Sequence, residues 1–116
     1  MHGFRSDSEQ NFLEQINDLL DAHLADQRYT VSDLASDLRI SRVQLHRKIK
    51  KITGKSSSHH IRERKLRRAF QLLKESGKSV TEIAYEVGFN NLSYFARSFR
   101  EMYHYNPSEI AKKRIS

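Results

Sequence analysis

"ISRVQLHRKIKKITG", from Ile40 to Gly54, carries two populations of side chain that want opposite surroundings. Six of the fifteen residues are apolar or Gly, and five are Lys or Arg. On a helix, Leu45, Ile49 and Ile52 recur at i, i+4 and i+7 and form one apolar seam. Arg42, Val43, His46, Arg47 and Lys50 fall together on another face. Ser41 and Gln44 match the S-x-x-Q form of a capping box, which starts the helix. Gly54 suits the left-handed residue that ends one. The seam would hold the helix to its domain, and the outer face is left for something anionic.

The segment just before this stretch occurs twice. "TVSDLASDLRIS" (Thr30 to Ser41) aligns without gaps on "SVTEIAYEVGFN" (Ser79 to Asn90). Thr30 with Asp33 approximates a capping box and Ser79 with Glu82 is a full one, and Ala35 matches Ala84 where a larger side chain would push two crossing helices apart. With one extra residue in the second copy, Leu45 then matches Phe95 and Ile49 matches Phe99. Phe95, Phe99 and Met102 or Tyr103 should point inward, and Leu92, Ser93, Ala96, Arg97 and Arg100 outward. Each copy reads as a short helix, a tight turn and a second helix, which is a helix-turn-helix, and the second helix of that motif enters the major groove of DNA.

Charge follows the same geography. The net charge of +7 hides a segment from Arg39 to Arg68 with twelve basic residues and one acidic, while Met1 to Leu38 is net −6 and Ala69 to Ser116 net +2. A basic block this concentrated is either a solvated face or the footprint of a polyanion, and its coincidence with the repeat favours the polyanion.

Around the repeat the chain reads as all-α, with seven helices. The first runs from about Ser8 to Ala25, with Phe12, Leu13, Ile16, Leu19, Leu20, His23 and Leu24 as its apolar stripe. The second and third begin at Thr30 and Ser41. A long helix from about Ser57 to Ser76 joins the units and spans about 30 Å, close to one turn of DNA. The fifth starts at Ser79, the sixth runs from about Asn91 to Tyr103, and the seventh starts at Pro107. With 116 residues, one Pro and four Gly there is room for one domain or two very small ones.

Composition removes several function classes. No Cys is present, so a disulfide scaffold, a thiolate zinc site and a Cys nucleophile are excluded. No apolar run approaches the ~20 residues of a membrane helix, and the N-terminus lacks a signal-peptide core, so a soluble cytoplasmic protein is expected. His59 and His60 are adjacent, diverge on a helix, and are not expected to hold a metal. Nothing resembles an active site or a Gly-rich phosphate loop, and neither enzyme activity nor a cofactor is expected. The Tyr and Phe of "SYFARSFREMYHY" could stack on single-stranded bases, but their spacing favours a core role.

Three strings identify the pattern more closely: "LASDLRISRVQLHRKIKKITG", "HIRERKLRRAFQLL" and "VTEIAYEVGFNNLSYFARSFREMYHYNPSEI". Together they resemble the DNA-binding domain of the AraC/XylS family of bacterial transcription regulators, over residues 27–116. The resemblance implies two helix-turn-helix units, about residues 30–54 and 79–104, joined by the helix of residues 57–76, with residues 1–26 as a leader and first helix. It implies sequence-specific binding of double-stranded DNA, with both recognition helices in successive major grooves. Base contact would fall on Val43, His46 and Arg47 and on Leu92, Ser93 and Arg97; phosphate contact on Ser41, Arg42, Lys50, Lys51, Asn91 and Arg100. RNA polymerase is an implied partner. A sensor or receiver domain is another, because the chain reads as the output piece of a longer regulator rather than a minimal one.

Two residues depart from the family pattern. His104 stands where Gly is frequent, and Lys65 where Arg is usual. His tolerates the left-handed region better than most residues. Two other readings keep the basic face and drop the sequence specificity: an architectural DNA binder, and a helical module that docks an acidic protein.

Overall fold

The computed structural model describes residues 5–113; the ends of the expected leader (residues 1–4) and of the expected DNA-binding domain (residues 114–116) lie outside the described residues. Among the described residues there are seven helices and no strand: α1 (Asp7–Ala22), α2 (Val31–Asp37), α3 (Arg42–Thr53), α4 (Ser57–Glu75), α5 (Val80–Glu86), α6 (Leu92–Tyr103) and α7 (Pro107–Lys112). The chain divides into two compact units, the first ending at Arg64 and the second beginning at Lys65.

Caps set the helix starts. Thr30, Ser41 and Ser79 each take the N–H three residues on, and Asp33, Gln44 and Glu82 return the bond to the cap's own N–H. Such caps typically contribute about 1 kcal/mol each. The first helix departs from its expected bounds for the same reason. Ser6 and Glu9 form a capping box that starts α1 at Asp7. At the other end His23 falls outside the helix and stacks on Tyr29, with ring centroids 3.8 Å apart.

In the first unit, α1, α2 and α3 pack on one another around Ile16, Leu20, Leu34, Ala35, Leu45 and Ile49. Full burial of an aliphatic side chain such as Leu45 or Ile49 stabilises by about 1.5–3 kcal/mol. Helix α1 is also bonded to the start of α4: Asn17 Oδ1 lies 2.8 Å from His60 Nε2, and Arg64 makes a two-pronged contact with Asp21, 2.7 and 3.3 Å. The Tyr29 hydroxyl donates to Asp37 at 2.7 Å, closing the end of α2. Burial, then this carboxylate, push the Tyr29 phenol above its ordinary range.

The second unit is built on aromatic rings. Helices α5, α6 and α7 pack around Phe89, Phe95, Phe99, Ile83, Val87 and Ile110, together with Leu66, Ala69, Leu72 and Leu73 of α4. Phe89 meets Phe95 edge-on at 5.1 Å, and Phe99 lies 5.9 Å from Phe95 and 4.8 Å from Tyr103. Offset and edge-on pairs of this kind add about 0.5–1.5 kcal/mol beyond the area they bury.

The aligned repeat corresponds to matching backbone. Ile40 N–H donates to Ala35 O at 3.1 Å, and Phe89 N–H to Ala84 O at 2.9 Å. The residue just before each donor, Arg39 in one unit and Gly88 in the other, has a positive φ of 60° and 96° respectively. The matched small residues of these two turns, Ala35 and Ala84, are both buried. Helix α3 ends at Gly54 (φ 77°) and α6 at His104 (φ 66°), so His104 takes the left-handed conformation its place after the recognition helix required.

Candidate nucleic-acid interface

The apolar seam and cationic face of α3 separate as its spacing predicts. Leu45, Ile49 and Ile52 are buried; Arg42, Val43, His46, Arg47, Lys50 and Lys51 are all exposed. Val43 is 64% exposed, a large apolar side chain with nothing over it in its own unit. No Asp or Glu occurs on α3, and among the described residues Arg42, Arg47 and Lys51 make no ion pair. The other two cations are partly engaged. Lys50 Nζ donates to the carbonyl of Gly54 at 3.0 Å, and Lys48 lies over the Phe12 ring at 5.0 Å.

On α6 the inward set is Phe95, Ser98 and Phe99, with Met102 and Tyr103 half-buried. Leu92, Ser93, Arg97 and Arg100 are exposed, and Ala96 is half-buried. Arg97 lies over the Tyr94 ring at 5.6 Å, and Arg100 donates to Asn106 Oδ1 at 3.2 Å. Both outward cations of α6 therefore rest on neighbours. That lowers the entropy lost when a planar fork is fixed on a ligand.

Two of the expected phosphate-binding residues are helix caps. Ser41 Oγ accepts from Gln44 N–H at 3.1 Å, and Asn91 Oδ1 from Tyr94 N–H at 2.9 Å. Their side-chain oxygens are acceptors in use, which places these residues at the positive end of a recognition helix.

Some sequence expectations need correction. Tyr94 and Tyr105 are not core: they are 39% and 48% exposed, whereas Phe95 and Phe99 of the same string are buried. Tyr94 faces outward because it lies one position, about 100° around the helix, from Phe95 on the inner seam. Elsewhere, on α4, Arg64 is held by Asp21, and Lys65 is half-buried over the Phe89 ring at 5.9 Å. Burial lowers the Lys65 ammonium from its ordinary range, and the nearby Tyr94 works against that shift. Sequence marked Ser57 only as the start of the long helix. It is buried, and its Oγ lies 2.6 Å from Nδ1 of His46. The two positions are eleven residues apart and belong to different helices, so periodicity gives no hint of the contact.

Comparison with known proteins bears on what these faces do. A family described as "Helix-turn-helix domain" matches residues 34–113. The HTH-type transcriptional activator RhaS of Escherichia coli O1:K1 is 33% identical over 95 residues, covering 82% of this chain and 34% of that protein. Histidine kinase P4 of Formosa agariphila is 29% identical over 108 residues, covering 93% of this chain and 8% of that protein. The chain thus spans about a third or less of the length of the curated relatives it matches. Among solved structures, a Chromobacterium violaceum transcriptional regulator described as containing an AraC-type DNA-binding domain superposes with TM-score 0.85 at 28% identity, covering 96% of this chain and 98% of that one. The DNA-binding domain of AdpA, solved in complex with a target DNA, superposes with TM-score 0.75 at 25% identity, covering 86% and 88% of the two chains.

Proposed function

We propose, from the premise that this chain belongs to the AraC-type family of helix-turn-helix transcription regulators, that it binds double-stranded DNA sequence-specifically and controls transcription through the site it occupies. Helices α3 and α6 each enter a major groove. Val43, His46 and Arg47 read bases from α3, and Leu92, Ser93 and Arg97 from α6. Val43 and Leu92 are apolar at reading positions and suit thymine methyl groups; Arg47 and Arg97 suit the O6 and N7 acceptors of guanine. Ser41, Arg42, Lys50, Lys51, Asn91 and Arg100 meet phosphates, which position the helices and supply most of the affinity.

The observation that carries this reading is the outer face of α3, where an exposed apolar reader stands among cations on a helix that has no acid of its own. An isolated solvated face would gain nothing from Val43 at 64% exposure. We place the DNA-binding region at residues 27–116, with helix-turn-helix units at about 30–54 and 79–104 and the helix of 57–76 between them. The same reading makes the chain the cytoplasmic output piece of a longer regulator. Its partners would be a sensor or receiver domain and RNA polymerase. No helix among the described residues is long and apolar enough to cross a membrane.

Selection of binding sites from random duplexes tests it. Enrichment of one sequence family is the expected result. Retention of DNA with a specific-to-nonspecific ratio near one would instead favour an architectural role. Failure to hold DNA, with binding to an acidic protein, would favour a protein-docking module.

A further inference from the structure

We infer that Ser57 is a positioning residue for His46, fixing its ring so that Nε2–H is the atom offered to a base edge. The inference rests on the proposed DNA-binding reading and assigns one donor within it. Ser57 opens α4 and is 2% exposed; His46 is exposed on the reading face of α3. Their 2.6 Å contact between Oγ and Nδ1 ties the side chain of a reading helix to the body of the first unit.

The direction of that bond follows from hydrogen-bond satisfaction. A neutral imidazole has one N–H and one bare nitrogen, and a hydroxyl has one proton to give. Were Nδ1 protonated, it would donate to Oγ, and the buried hydroxyl proton would need another acceptor. Among the described residues, His46 Nδ1 is the one hydrogen-bond partner of Ser57 Oγ. An unmet buried donor is costly, so the hydroxyl donates to a bare Nδ1 and the ring proton sits on Nε2. The outer nitrogen is then a donor. In the major groove it matches N7 of a purine, O6 of guanine or O4 of thymine, and it mismatches the N4 amino group of cytosine. Without Ser57 the ring could rotate and exchange tautomers, and the same position would accept donors and acceptors alike.

Two measurements on the 116-residue chain test this, using wild type, Ser57→Ala and Ser57→Thr. Long-range proton–nitrogen spectra of the free protein should place the His46 proton on Nε2 in wild type and in Ser57→Thr, and give a mixture in Ser57→Ala. Site selection should show one position in the first unit's half of the site where Ser57→Ala loses about five- to tenfold of its preference, as expected for one hydrogen bond. The salt dependence and the preference of the second unit should not move, a pattern that simple loosening of the fold would not give. A proton on Nδ1 in wild type would overturn the inference, and so would a spectrum that Ser57→Ala leaves unchanged. Enrichment of the same site by wild type and Ser57→Ala would overturn the readout alone. If wild type enriches no sequence while the spectrum shows Nε2–H, the readout falls together with the DNA-binding reading beneath it.

Discussion

The two units repeat one backbone plan with different chemistry. In the first, the recognition helix is seated on aliphatic side chains, with α1 packed against it; in the second it is seated on phenylalanines, with α7 packed against it. The first unit's recognition helix has five cations and no acid, whereas the second's has Arg97, Arg100 and Glu101. Even the tight turn differs, with Arg39 at a positive φ in one unit and Gly88 in the other. What the units share is what a helix-turn-helix needs in order to close: capping boxes on their first helices, a buried Ala at the crossing, and paired seam positions. What differs is how each seam is filled and what each outer face presents. The scaffold therefore leaves both free to vary, and the first unit has become the more electrostatic of the two.

The most severe way to break this comparison is to empty the seams. Leu45→Ala should cost about 2–5 kcal/mol and Phe95→Ala about 3–5 kcal/mol. The second should be the larger loss, because Phe95 also makes the ring contacts with Phe89 and Phe99. Denaturant titration gives the totals, and hydrogen exchange shows which unit opens. Equal costs would mean that the rings contribute volume alone. Exchange that accelerates only in the unmutated unit would mean the helix faces are assigned backwards.

Much of this was legible beforehand, and the exceptions have physical causes. Helix starts were readable because Thr30, Ser41 and Ser79 signal locally, through a bond to a residue three positions on. The seams were readable because burial on a helix has a period. The end of α1 was not, since His23 leaves the helix to stack on Tyr29, a contact that exists only after the chain turns back. Arg39 in a left-handed turn was hidden for a related reason: the demand for positive φ shows in sequence only where Gly answers it. At the interface, the exposed faces were legible, but the partners of their residues were not. Ser57 under His46 is a tertiary contact between two helices that spacing does not encode, whereas Tyr94 and Arg97 are an i, i+3 pair on α6 whose contact spacing allows.

Next in size is the division of base reading. Arg47→Ala and Arg97→Ala should each remove about 1–3 kcal/mol of discrimination, each in its own half of the preferred site. Because Arg97 lies over Tyr94, Tyr94→Ala should blunt the same half as Arg97→Ala while sparing the other. Site selection with all three variants gives the outcome directly. Uniform weakening of both halves by either Arg variant would reduce the two residues to phosphate contacts and remove the distinction drawn between the units.

The turns offer a smaller and cleaner contrast. A non-glycine residue pays about 1–2 kcal/mol in the left-handed region. Arg39→Gly should therefore raise stability by up to about 1 kcal/mol, the rest being lost to the greater freedom of Gly in the unfolded chain. Gly88→Ala should lower it by about 1–2 kcal/mol. Thermal melts of the two variants should move in opposite directions. If both fell, Arg39 would be making a stabilising contact that outweighs its backbone strain.

The smallest expected effects are those of single cations, and they bear most directly on how the units divide affinity. Each phosphate neutralised adds roughly −0.9 to the slope of log affinity against log salt. Arg42 and Lys51 are exposed, and among the described residues neither makes an ion pair. Arg42→Ala and Lys51→Ala should each flatten the slope by about 0.9, so that each variant loses about threefold less affinity than wild type between 50 and 200 mM salt. Arg100 is different, because its guanidinium already donates one N–H to Asn106, which holds the head beside the start of α7 and narrows the directions in which its remaining N–H donors can meet a phosphate. Its replacement should flatten the slope by less than either α3 variant. The measurement is a salt series on one fixed duplex, with the three variants beside wild type. The first unit dominates the electrostatic share of binding if the order holds. Should Arg100→Ala flatten the slope as much as Arg42→Ala, the contrast in charge between α3 and α6 would be one of appearance, and the two units would hold the phosphate backbone on equal terms.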